Sequence, residues 1–188
     1  LGDMRVGPLR EAPTTEQPFS FIYAGRNSRE FLKDWDRTYR TRDLDQRRRE
    51  HTLSFRDRTT GLQVRCVAIE YRDFPVVEWK LFFKNTAPQA TPIIENILAL
   101  DTRSERDNEG EFVLHHSNGS PHSLVKMSDP TDYAPRATRL VPQFVKRLSS
   151  KIGLPASHDL PFFNLEANGG GTIVAIGWPG QWAATLTR

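Results

Sequence analysis

The chain has 188 residues, with 26 Lys and Arg against 23 Asp and Glu, a formal net charge of +3. That length supports one domain with a real core, and the 10% aromatic content argues against a disordered chain. No stretch approaches the roughly 18–20 consecutive apolar residues of a membrane-spanning helix, so no membrane partner is expected.

Residues 1–18 read as an irregular lead-in broken by Pro8, Pro13 and Pro18. The start at Leu1-Gly2-Asp3 carries no initiator Met and no apolar signal core, so the chain reads as trimmed there. Phe19, Phe21 and Tyr23 alternate with Ser20 and Ile22, the pattern of a strand that stops at Gly25. Asn27, with Glu30 three residues on, resembles a capping box and predicts one short helix that buries Phe31, Leu32 and Trp35. A dense arginine tract follows: Arg37, Arg40, Arg42, Arg47, Arg48 and Arg49. It is interrupted by Asp36, Asp43, Asp45 and Glu50, which marks a salt-bridged surface strand or connector rather than a phosphate-tracking stripe. Nucleic acid is therefore not an expected partner.

From residue 48 the period is two. His51, Leu53 and Phe55 share one face, and Leu62, Val64, Cys66 and Ala68 share another. The Asp57–Gly61 segment between them predicts a β-hairpin turn. Val77, Trp79, Leu81 and Phe83 mark a strand over 76–84, and a further strand is expected over 93–101. Together these read as a four-stranded antiparallel meander. Residues 111–116 form another strand. The stretch 117–139, with three prolines, and a second stretch near 148–160 read as loops. The end is again β: residues 161–166, the turn Asn168-Gly169-Gly170-Gly171, residues 172–178, the Pro179-Gly180 turn, and residues 181–186. Nine or ten strands with turn punctuation predict an all-β fold, a large antiparallel β-sandwich with one short helix. No internal boundary is visible, so residues 19–188 read as a single sandwich domain.

Motifs for nucleotide, zinc-protease or serine-hydrolase chemistry are absent. The single cysteine, Cys66, rules out an internal disulfide and a cysteine cage, and its place in an apolar alternation makes it a core residue. His115-His116 is the one histidine pair. Adjacent strand residues point to opposite faces, so the two do not converge on one metal, and no metal or cofactor is expected. Glycoside hydrolysis with retention needs two carboxylates about 5–5.5 Å apart. Glu70, Asp73, Glu78, Glu95, Asp101, Glu111 and Glu166 are available, but no spacing pairs any two of them, so no catalytic residue is assigned. An indole face stacks on a pyranose. Trp178 and Trp182, flanking a turn, are therefore candidate carbohydrate contacts, together with His115 and His116 at the edge of the long loop.

Several strings carry a resemblance: Phe19-Ser20-Phe21-Ile22-Tyr23-Ala24-Gly25, Glu70-Tyr71-Arg72-Asp73-Phe74-Pro75-Val76-Val77-Glu78-Trp79 and Pro92-Ile93-Ile94-Glu95-Asn96. So do Phe112-Val113-Leu114-His115-His116, Pro161-Phe162-Phe163-Asn164-Leu165-Glu166 and, most specifically, Ile176-Gly177-Trp178-Pro179-Gly180-Gln181-Trp182-Ala183. Together, over residues 19–186, they resemble the N-terminal region of bacterial α-galactosidases of the glycoside hydrolase family 36 (melibiase) type. The resemblance implies a supersandwich similar to the galactose-mutarotase fold, followed in the parent protein by a catalytic (β/α)₈ barrel with two Asp residues. This sequence has no βα alternation and no position matching those catalytic motifs. The implied partners are the barrel of the same parent protein, galactosides, and other copies in a homo-oligomer; a secreted or periplasmic setting is favoured. Three other readings stand beside the accessory domain. They are an autonomous carbohydrate-binding module, a sugar epimerase using His115 or His116 with a carboxylate, and an oligomerisation domain.

Overall fold

A computed structural model of the chain describes residues 17–105, 110–120, 132–167 and 169–188. The lead-in over 1–16, much of the 117–139 loop and Asn168 lie outside them. The chain is all-β: 55% strand, 4% helical with one short helix, in antiparallel sheets. It divides into two compact units, and their described parts are 17–103 and 104–188.

The first unit opens with β1 (Ser20–Tyr23) and β2 (Arg26–Asn27). Helix α1 (Ser28–Phe31) follows and runs into a 3₁₀ turn over Leu32–Asp34. Asn27 caps the helix as expected, its side chain accepting from the Arg29 N–H at 2.9 Å. Glu30 does not close the box; it pairs with Arg26 at 3.5 Å. Strands β3 (Asp36–Asp43), β4 (Arg48–Arg56), β5 (Leu62–Tyr71) and β6 (Val76–Asn85) form one sheet in that order. Strand β7 (Ile94–Leu98) pairs with β1 in a second sheet, order β2-β1-β7. The expected meander is thus corrected. Its four strands are β3 to β6, and the strand after residue 93 crosses to the other sheet. Charge on the exposed β3 masked its period, whereas the break at Pro88 and Pro92 gives the chain room to cross.

Side chains explain the stacking of the two sheets. Phe19, Phe21 and Tyr23 from one sheet meet Leu53, Phe55, Leu62, Val64 and Cys66 from the other, with Phe31 and Leu32 closing one end. Phe21 sits edge-on to Phe31 and Phe83 with ring centroids 5.9 and 5.3 Å away, and Phe19 sits edge-on to Phe55 at 6.4 Å. Each such phenyl contributes about 1.5–3 kcal/mol relative to an exposed one. Trp35, expected on the buried side of the helix, lies just past the 3₁₀ turn and packs on Tyr23 and Phe31.

In the second unit, β8 (Phe112–Ser117), β9 (Pro135–Leu140), β11 (Phe162–Ala167) and β12 (Gly170–Ala175) form a sheet of order β12-β11-β8-β9. Strands β10 (Val145–Ser149) and β13 (Ala183–Thr187) form a two-stranded sheet. Leu114, Leu140, Phe163, Leu148 and Trp182 are the core between the two sheets. Strand β9 overlaps the expected loop. It is short, polar and paired on one side only among the described residues, so it shows little hydrophobic alternation. Strand β10 was not foreseen either, for the same reason: Lys146 and Arg147 interrupt its apolar positions.

Candidate functional site

His115 and His116 follow one another on β8 and therefore face opposite sides of the sheet. His116 points inward and is buried. Its Nε2 lies 3.1 Å from Thr138 Oγ1, and its Nδ1 is buried without a hydrogen-bond partner. Burial, with Lys146 and Arg136 adding to it, holds this imidazole below its ordinary pKa, against the opposite pull of Asp159. It is a core residue.

His115 points outward. Its Nε2 is 2.6 Å from Glu166 Oε2, and the two side chains are 43% and 49% exposed. The register explains the contact. Glu166 on β11 stands opposite Val113 on β8, and Asn164 stands opposite His115, so histidine and carboxylate meet diagonally across the strand pair.

The two tryptophans part company. Trp178 is 62% exposed, and its indole lies over Gly180, where an added Cβ would come within 2.6 Å of Nε1. Trp182 is 7% exposed in the core of the second unit. Its indole N–H donates to the Pro155 carbonyl at 2.6 Å and its backbone N–H to Ser150 Oγ at 2.9 Å. An indole packed this way presents no face to a sugar. Of the four candidate contacts, His115 and Trp178 face outward, while His116 and Trp182 face the core.

One cluster was missed in the sequence. His51, buried on β4, has Nδ1 2.6 Å from the Tyr39 hydroxyl and Nε2 3.0 Å from Glu70 Oε2, with the tyrosine ring stacked on the imidazole. A proton on Nε2 donating to Glu70 leaves Nδ1 to accept from Tyr39, which satisfies all three groups at once. Burial, then the Glu70 charge, holds the Tyr39 phenol above its ordinary pKa. The network ties β3, β4 and β5 together. Its signal was a histidine at an inward position of an alternation, and only the strand register shows that Tyr39 and Glu70 reach it.

Four of the remaining candidate carboxylates are held by donors. Asp73 pairs with Arg47 at 3.2 Å, Asp101 with Arg29 at 3.1 Å, and Glu111 with Arg188. Glu78 accepts from the Tyr71 hydroxyl at 3.2 Å. Four of the six arginines of the tract, Arg42, Arg47, Arg48 and Arg49, are salt-bridged. Asp43 takes Arg49 at 2.7 Å and also Arg72, Asp45 takes Arg48 at 2.7 Å, and Arg42 takes Glu50 at 2.9 Å. Hydrogen bonds from these arginines hold Asp43 and Asp45 below the usual carboxylate range. Cys66 is buried in the first core, and desolvation pushes its thiol up to about 12, so it is not a nucleophile.

No family model matches the sequence, and no curated protein matches it. Solved structures do. The GH36 α-galactosidase AgaA of Geobacillus stearothermophilus superposes with a TM-score of 0.57 at 14% identity, over 90% of this chain and 24% of that one. A variant of AgaA in complex with stachyose gives 0.58 at 14% identity with the same coverage. The α-galactosidase of Lactobacillus brevis gives 0.59 at 15% identity, again over 90% and 24%. In fold, this chain is similar to a stretch of these α-galactosidases about a quarter of their length.

Proposed function

We propose that the chain is the non-catalytic N-terminal β-sandwich domain of an α-galactosidase-like glycoside hydrolase, which packs on a downstream (β/α)₈ barrel and borders its substrate cleft. One observation carries the reading: the likeness takes in 90% of this chain and only 24% of the α-galactosidases. Two others support it. The described strands pair antiparallel, whereas a (β/α)₈ barrel is built of parallel ones. The exposed Phe74, Val76 and Ile93 supply apolar surface for contact with further protein, whether the barrel or a second copy. The test is turnover of a chromogenic α-galactoside by the purified 188-residue chain. No hydrolysis above the uncatalysed rate is expected; turnover that survives repurification would overturn the reading.

A second reading, an autonomous carbohydrate-binding domain, draws on the exposed indole of Trp178. It expects the chain's tryptophan fluorescence to shift with galactosides, and the shift to vanish in Trp178→Ala.

A further inference from the structure

The outward face of the β12-β11-β8-β9 sheet carries two adjacent rows of side chains. One row is Ile173, Asn164, His115 and Ala137; the other is Gly171, Glu166, Val113 and Arg139. In the second row Glu166 and Arg139 stand on either side of Val113, two strands apart, so their backbones lie about 10 Å from each other. Gly171 and Ala137 at the corners put little bulk beside them. Phe162, two residues before Asn164 on the same face, is half exposed, and Ile173 is largely exposed. The polar groups are complementary in kind. Glu166 is held by His115 through one oxygen, which leaves the other to accept. Arg139 is exposed and makes no ion pair among the described residues, so its guanidinium is available to donate.

We propose that this face is a binding site for a neutral pyranose, seated over Val113 between Glu166 with His115 on one side and Arg139 on the other. A carboxylate accepts from vicinal hydroxyls, a guanidinium donates to hydroxyl or ring oxygens, and the apolar edge of the ring covers Val113. An anionic ligand is disfavoured because Glu166 lies within the site. A metal is disfavoured because no group of three or more His, Cys, Asp or Glu gathers among the described residues. The proposal goes beyond the accessory-domain reading, and the two fail separately: the accessory reading rests on the parent protein and on turnover, this one on sugar affinity alone.

The test is saturation-transfer NMR on the full 188-residue chain with methyl α-D-galactopyranoside, with affinity taken from its titration. Saturable binding is expected. Glu166→Gln and Arg139→Met should each weaken it at least about tenfold, the loss of one charge-assisted hydrogen bond, with the melting temperature unchanged. Trp178→Ala should leave the affinity as it is. No saturable binding up to about 50 mM, a range that would still detect very weak contacts, overturns the proposal. So does binding indifferent to both face variants, or binding lost with Trp178→Ala instead.

Discussion

Trp178 and Trp182 stand four residues apart in one Trp-Pro-Gly-Gln-Trp run, and the fold gives them opposite roles. Trp182 fills the second core and anchors the Pro155 loop through its indole N–H. Trp182→Ala should cost about 3–5 kcal/mol, the penalty of a large core cavity. Trp178→Ala should stay within about 0.5 kcal/mol, as surface changes usually do; chemical denaturation of both variants checks the contrast. The split was invisible in the sequence because a turn between two strands does not say which flank faces in. His116 supplies a pH prediction. Its folded pKa lies below the ordinary value of 6.5, so the unfolded chain binds the extra proton first. Its contribution is therefore whole above about pH 6.5 and lost as the pH falls below it. Unfolding free energy measured between pH 7.5 and about 5.5 should drop less in His116→Gln than in the native chain. The opposite facing of His115 and His116 was readable from strand geometry, whereas the partner Glu166, 51 positions away, required the register.

At the scale of elements, local chemistry was legible where turns and apolar alternation are strong. The hairpin between β4 and β5 is the clearest case. The Asp57 carboxylate accepts from the Thr59 N–H and the Thr60 hydroxyl, and Gly61 closes the turn at φ +77°. Gly61 also lies so close to Ala87 that an added Cβ would come within 2.6 Å of the Ala87 Cβ. Gly61→Ala therefore meets both a left-handed backbone cost of about 1–2 kcal/mol and a clash. A loss of at least that much is expected in a urea titration, and a neutral result would contradict this account of the turn. Illegible elements were of two kinds. Strands β3, β9 and β10 are charged or short, so burial left little periodic trace in them. The crossing of β7 to the β1 sheet is a long-range choice, set by which apolar face Phe19, Phe21 and Tyr23 needed to cover rather than by any local signal.

For the whole molecule, alternation and turns sufficed for the all-β class, and the strings around Glu70–Trp79 and Ile176–Ala183 pointed to the α-galactosidase likeness that the fold bears out at 14–15% identity. Residues 19–188 read as one sandwich domain because no linker composition separates the two compact units, each of which closes its own core. The central claim, that this chain serves a larger glycoside hydrolase, has a direct test in the size of the native protein. An antibody raised against the chain and used to blot an extract of its source measures that size. Matching 90% of 188 residues to 24% of the solved chains makes those chains about 700 residues, or about 80 kDa, and a band near that size is the result the proposal predicts. A single band at 21.5 kDa, the mass of this chain alone, would contradict it.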